Sequence, residues 1–174
     1  MTLSPRATLH SSDSNEWYTP ARILEAARAV LGGIDLDPAS SAAANQTVQA
    51  ARYYTKDTDG LTRPWRGRVW LNPPYGKTAT GSSNQGRWSK RLIDAYTAGD
   101  VAAAVLLVNA CTGDGWFAPL WAYPLCFVRG RIHFIPADGQ KNSPTHSSVL
   151  AYFGPDAARF RAVFGALGHV VVPS

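Results

Sequence analysis

The eight consecutive apolar residues Val101 to Val108 restrict the fold more than any other segment. The run is about strand length and offers no polar side to water, so it reads as a central strand buried on both faces. Such a strand needs helices above and below it, and the flanking segments supply them. Thr19-Pro20 opens a helix over 21–31, with Thr19 as N-cap and Pro20 at the first helical position. Ile23, Leu24, Ala27 and Leu31 fall at helical spacing, and Gly32-Gly33 ends the helix. Further helices are expected over 38–51, 87–97, 115–123 and 156–167, the last capped by Gly168. Strands are expected over 34–37, 52–55, 67–71, 126–134, 148–153 and 169–172, alternating with the helices. The expectation is an α/β fold: a mostly parallel sheet, helices on both faces, and an antiparallel edge made by the closely spaced C-terminal strands. The 174 residues suit one domain, residues 16–174, after a Ser/Thr/Pro-rich arm, residues 1–15, read as flexible.

Composition narrows the function classes. Hydrophobic residues make up 45% of the chain, which excludes a wholly disordered one. Seventeen Lys and Arg against twelve Asp and Glu leave a net charge of +5, which favours a polyanionic partner. No apolar run approaches the roughly 18 residues of a membrane span, and residues 1–15 contain no apolar core of a signal peptide, so a cytoplasmic setting is expected. Cys111 and Cys126 show neither CxxC spacing nor a His cluster, so neither a metal site nor a disulfide framework is indicated. Neither cysteine follows a proline, which disfavours a Pro-Cys nucleophile. His133 and His146 have no nucleophile motif beside them and receive no role.

The segment with the most chemistry is Asn72-Pro73-Pro74-Tyr75, directly after the strand over 67–71. Ligands of open α/β sheets bind outside the carboxyl ends of strands. Two successive prolines fix φ and remove two backbone donors, leaving carbonyl oxygens to face a ligand. Asn72 adds a side-chain acceptor and Tyr75 an aromatic face. That set suits a planar group bearing an NH₂: two acceptors for its two N–H bonds and a ring to stack on. Accepting both hydrogens favours pyramidalisation of a delocalised amine and offsets the charge that develops when it attacks.

The tetrapeptide resembles the catalytic motif of amino-methyltransferases. The wider pattern resembles the phage-type, Dam-like DNA N6-adenine methyltransferases. The matching pieces are Glu16-Trp17-Tyr18-Thr19-Pro20, Asp35-Leu36-Asp37-Pro38-Ala39-Ser40, Tyr53-Tyr54-Thr55, Asp59-Gly60-Leu61, Trp65, Val69 to Tyr75, and Arg129-Gly130-Arg131-Ile132-His133-Phe134. The resemblance implies a Rossmann-like fold, S-adenosylmethionine as methyl donor, and transfer to N6 of an adenine flipped out of double-stranded DNA, without a metal. Asn72 and the Pro73 carbonyl would bind the amine, with Pro74 rigidifying the turn and Tyr75 stacking on the base. Trp17, Tyr18, Thr19 and Pro20 would line the cofactor pocket, or alternatively staple the first helix. Asp35, Asp37, Pro38, Ala39 and Ser40 would replace the first cofactor motif, although the usual glycine-rich pattern is absent. A carboxylate at a strand end can attract the donor's cationic amino group. Asp57 lies at the ribose-acid spacing, 20 residues beyond Asp37, and Asp59 competes with it for a cofactor role.

Lys77, Arg87, Lys90, Arg91, Arg129 and Arg131 are candidate phosphate contacts, with a solvated helix face as the alternative for Lys90 and Arg91. Segment 76–86 is small and polar, suited to entering a DNA groove or closing over a base. Only 31 residues, Ser41 to Leu71, separate the two motifs, too few for a separate recognition domain. Masking phage DNA from host restriction is the biological role that the resemblance implies. Rival readings are N4-cytosine, an RNA base or a protein glutamine as acceptor, and a DNA-binding module of this fold without turnover.

Overall fold

The computed structural model describes residues 17–136 and 146–173; the expected arm, residues 1–15, lies outside them. In chain order the elements are β1 (Trp17–Tyr18), α1 (Ala21–Leu31), β2 (Leu36–Asp37), α2 (Ala42–Val48), β3 (Arg52–Tyr53), β4 (Gly67–Leu71), α3 (Asn84–Thr97), β5 (Val101–Asn109), β6 (Leu125–Val128), β7 (Ile135–Pro136), β8 (Ser148–Phe153), α4 (Ala157–Phe164) and β9 (Gly168–Val171). Short 3₁₀ turns cover Gly60–Thr62 and Ala118–Ala122.

Seven strands form one sheet in the order β3-β2-β4-β5-β8-β6-β9. The pairings β2–β3, β2–β4 and β4–β5 are parallel, and β5–β8, β6–β8 and β6–β9 are antiparallel. The antiparallel part is therefore half of the pairings, not an edge as expected. Its cause is β8, which inserts between β5 and β6 and runs against both.

The period of two along the strands sorts side chains onto two faces. On one face Trp70, Val105, Leu107, Cys126, Leu150 and Tyr152 pack under α1 and α4. On the other, Val69, Leu71, Ala104, Leu106, Val108, Leu125, Val149, Ala151 and Phe153 pack under α3 and the 118–122 turn. Helices on both faces are thus present. The run Val101 to Val108 supplies both cores, as its lack of a polar side requires.

Several boundaries differ from expectation, each for a local reason. Pro20 is the residue before α1, and Ile23 N–H reaches its carbonyl at 3.0 Å. Thr19 therefore does not cap the helix. α2 starts at Ala42 because Ser41 Oγ accepts from Ala44 N–H at 3.2 Å, while Pro38 to Ser40 forms a turn. α3 starts at Asn84, capped by Ser83, so Gln85 and Gly86 belong to a helix and not to the loop. α4 ends at Phe164 with Gly165 as its C-cap, and Gly168 opens β9. The strand expected over 126–134 stops at Val128, where Arg129-Gly130 turns the chain with Gly130 at φ 74°. Farther on, Ile135–Pro136 pairs antiparallel with Trp17–Tyr18 in a separate two-stranded sheet. Among the described residues, no helix is long and apolar enough to cross a membrane.

The path of the chain positions the site. From β2 it turns through α2 to β3 on one side, whereas β4 and β5 lie on the other side of β2. The reversal opens a crevice at the carboxyl ends of β2 and β4, where Asp37 and Asn72 emerge.

Candidate active site

A cavity of about 660 Å³ fills this crevice. Its volume lies within the usual range for small-molecule sites. Trp17, Tyr18, Thr19, Asp37, Pro38, Ala39, Ser40, Asp59, Asn72, Pro73, Pro74 and Tyr75 line it, together with Trp70 and Trp88. A second cavity of about 460 Å³ lies beside it, lined among others by Lys77, Gln85, Asn109, Trp116, Phe134 and Ser148. Trp17 and Tyr75 border both.

Asn72 leaves the carboxyl end of β4 and is held at both ends of its amide. Its Nδ2 donates to Thr19 Oγ1 at 3.3 Å, and its Oδ1 accepts from the Tyr75 hydroxyl at 3.2 Å. Thr19 is 6% exposed, so the residue expected to cap α1 instead orients the amide. A carbonyl oxygen has two lone pairs, so Asn72 Oδ1 retains acceptor capacity. No described residue donates to the Pro73 carbonyl. Tyr75 meets Phe134 edge-on, with centroids 6.1 Å apart, and burial raises its hydroxyl above the usual tyrosine range. The first residue of α3 fastens the far side of the motif: Asn84 N–H donates to the Gly76 carbonyl at 3.0 Å, and Asn84 Nδ2 to the Tyr75 carbonyl at 3.4 Å.

The two aspartates of the 35–37 segment part ways. Asp37 is 3% exposed and lines the first cavity. Its Oδ1 accepts from Ala39 N–H at 3.1 Å, and it has no ion-pair partner among the described residues. Burial pushes its carboxyl up to about 7. Asp35 lines neither cavity. Its carboxylate takes a bidentate pair from Arg68 of β4, Nε to Oδ2 at 2.8 Å and Nη2 to Oδ1 at 2.7 Å. Those hydrogen bonds hold it at about 2, well below the ordinary carboxylate. Asp59, at φ 45°, caps the Gly60–Thr62 turn through Leu61 N–H and lies on the cavity rim. Asp57 is exposed and lines neither cavity, so of the two acids only Asp59 reaches the site.

A family model described as DNA N-6-adenine-methyltransferase (Dam) matches residues 6–157. The chain belongs to the Dam family. No curated protein and no solved structure matches it.

In this Dam family member the candidate phosphate contacts divide. Lys77 borders the second cavity, and Arg87, Arg129 and Arg131 are exposed. Lys90 is engaged by Asp94 one turn on, at 2.7 Å. The Arg91 guanidinium lies 5.3 Å from the centre of the Trp65 ring and donates to the Arg63 carbonyl at 3.3 Å. Both side chains thus have partners on α3 or beside it. Pro20 lines neither cavity and belongs to the start of α1. Among the described residues, no group of three or more His, Cys, Asp or Glu could hold a metal ion.

Gln85, Trp88 and Asn109 line the two cavities without having been expected there from the sequence. Ser83 is a ready N-cap ahead of Asn84 and Gln85, and would have placed both on a helix pointing at the motif. Nothing local marks Asn109, which reaches the second cavity only because β5 runs one residue past its apolar stretch.

Proposed function

We propose that this chain is an S-adenosylmethionine-dependent DNA methyltransferase that modifies N6 of an adenine flipped out of the duplex. One observation carries the reading: the acceptors of Asn72 and Pro73 line a crevice beside a second cavity, and Tyr75 of the same motif borders both, as does Trp17. A site that joins a donor to a base needs two adjoining pockets and acceptors where they meet.

The first cavity suits the methyl donor. Asp37 is a buried carboxylate lacking a cationic partner among the described residues, and an α-ammonium group would supply one. Trp17, Tyr18 and Trp88 offer aromatic surface for a purine, and the Asp59 carboxylate on the rim suits ribose hydroxyls. When bound, S-adenosylmethionine supplies an electrophilic methyl carbon to the incoming amine.

The chain's own part is positioning and electrostatics. The second lone pair of Asn72 Oδ1 and the Pro73 carbonyl accept the two amine hydrogens, favouring a pyramidal nitrogen and stabilising positive charge as it develops. Thr19 and Tyr75 fix the amide before the base arrives, so little reorganisation remains at the moment of reaction. Tyr75 offers its ring to the flipped base. Double-stranded DNA fits the positive balance of the chain.

The test is methyl transfer from labelled donor to unmethylated DNA, with the product nucleosides identified by mass spectrometry. N6-methyladenine is expected from the wild type. Asn72→Ala should lower the rate at least about 100-fold, the usual cost of losing one aimed group. N4-methylcytosine as product would move the reading to another base. No methylated base, beside a working control enzyme, would reject it.

A further inference from the structure

Gln85 stands in the first turn of α3, next to Asn84, which bonds the Tyr75 and Gly76 carbonyls. It is 5% exposed and borders the second cavity. Its Oε1 accepts from the backbone N–H of Asn109 at 2.7 Å. A backbone N–H can only donate, so the amide oxygen must face it, and this fixes which way the side chain points. The Nε2 group is thereby turned away from β5. It has no hydrogen-bond partner among the described residues, yet it is not sealed from the cavity. Water can accept from that NH₂ in the free protein, and a ligand that displaces the water must accept in its place or leave the group unpaired.

We infer that Gln85 reads the target base, donating from Nε2 to the ring nitrogen adjacent to the reactive amine. The inference rests on the adenine-methyltransferase reading and adds a second contact on the base edge to the acceptors at Asn72 and Pro73. Those acceptors select an amine. A fixed donor across the same base edge requires an in-ring acceptor beside that amine, N1 or N7 in adenine. Thymine, which pairs a carbonyl with an N–H on that edge, would face acceptor against acceptor and donor against donor, whereas cytosine, with N3 beside its amine, offers the same pattern as adenine N1. Tyr75, Trp116 and Phe134 provide the aromatic walls between which such a base stacks.

The experiment starts from a duplex that the wild type methylates. The target adenine is replaced in turn by 1-deazaadenine and 7-deazaadenine, each keeping the amine and lacking one ring acceptor. Each duplex is assayed with the wild type, Gln85→Glu and Gln85→Leu. The glutamate variant keeps an oxygen for Asn109 N–H, and the leucine variant cannot donate in any protonation state. One analogue should cost the wild type about tenfold or more in kcat/KM, the usual loss when a site's hydrogen-bond group goes unmatched. Both variants should lose as much on natural adenine, and lose little more on that analogue, with S-adenosylmethionine affinity unchanged. Losses from variant and analogue that simply multiply would overturn the inference, as would wild-type rates in Gln85→Leu. A wild type that methylates no DNA while binding the donor would reject the adenine reading itself, and the inference with it.

Discussion

At the scale of single residues, position along a strand separates two chemically identical groups. Asp35 and Asp37 are two apart. Asp35 enters beside Arg68 of the neighbouring strand, whereas Asp37 leaves at the carboxyl end into the crevice. Replacing Asp37 with Asn should lower S-adenosylmethionine affinity at least tenfold by calorimetry. Asp35→Asn should leave that affinity intact and cost about 1 kcal/mol of stability or less, as befits a half-exposed ion pair. Equal affinity losses in both variants would contradict this assignment. The raised carboxyl of Asp37 also has a pH signature. Its folded pKa of about 7 exceeds the ordinary 3.8, so the folded protein holds that proton more tightly than the unfolded chain. The contribution of Asp37 to stability is therefore present at low pH and is lost as pH rises from about 4 to about 7. Donor affinity should rise over the same window, because only the carboxylate attracts an ammonium. Thermal melts of the ligand-free protein across that range, with Asp37→Asn giving a flatter profile, would check the sign.

At the scale of elements, the 3₁₀ turn Gly60–Thr62 supports the Pro38 to Ser40 wall of the first cavity from outside. Gly60 lies against the Pro38 carbonyl so closely that a side chain would collide with backbone, and its own carbonyl accepts from Trp65 Nε1 at 2.7 Å. Gly60→Ala should displace the Pro38 to Ser40 wall, weaken donor binding and cost about 1–3 kcal/mol, the usual range for overpacking. Unchanged affinity and melting temperature would show that the turn gives way freely. Local signals made much of this layer legible. α1, β4 and β8 match their expected ranges because apolar spacing, proline, glycine and a polar flank all agree there. Asn72 to Tyr75 could be placed after a strand for the same reason. The β1–β7 pairing was not legible. Two-residue strands carry no periodicity, and they meet only through tertiary approach. The starts of α2 and α3 differ from the expected residues 38 and 87 because Ser41 and Ser83 cap the helices. The pairing of Asp35 with Arg68 joins two strands, and sequence spacing cannot show that contact.

At the scale of the whole molecule, a net charge of +5 says that a polyanion is attracted, not which cations touch it. The fold decides that by consuming some of them. Lys90 is paired with Asp94, whereas Arg91 keeps its charge and lies over the Trp65 ring. Lys77 borders the second cavity, where a flipped base would enter, and Arg87 is exposed on α3 four residues beyond its Ser83 cap. Each phosphate contact releases bound counterions and steepens the salt dependence of affinity by about one unit on a log–log plot. Lys77→Ala and Arg87→Ala should therefore each flatten that slope by about one. Arg91→Ala should leave the slope unchanged and instead cost about 0.5–1 kcal/mol through the lost contact with the ring. Titrating a fluorescent duplex at several salt concentrations, with a melt of each variant, separates the two kinds of arginine. If Arg91→Ala flattened the slope as much as Arg87→Ala, α3 as a whole would be the DNA face, and the contact with Trp65 would be a resting position that the duplex displaces.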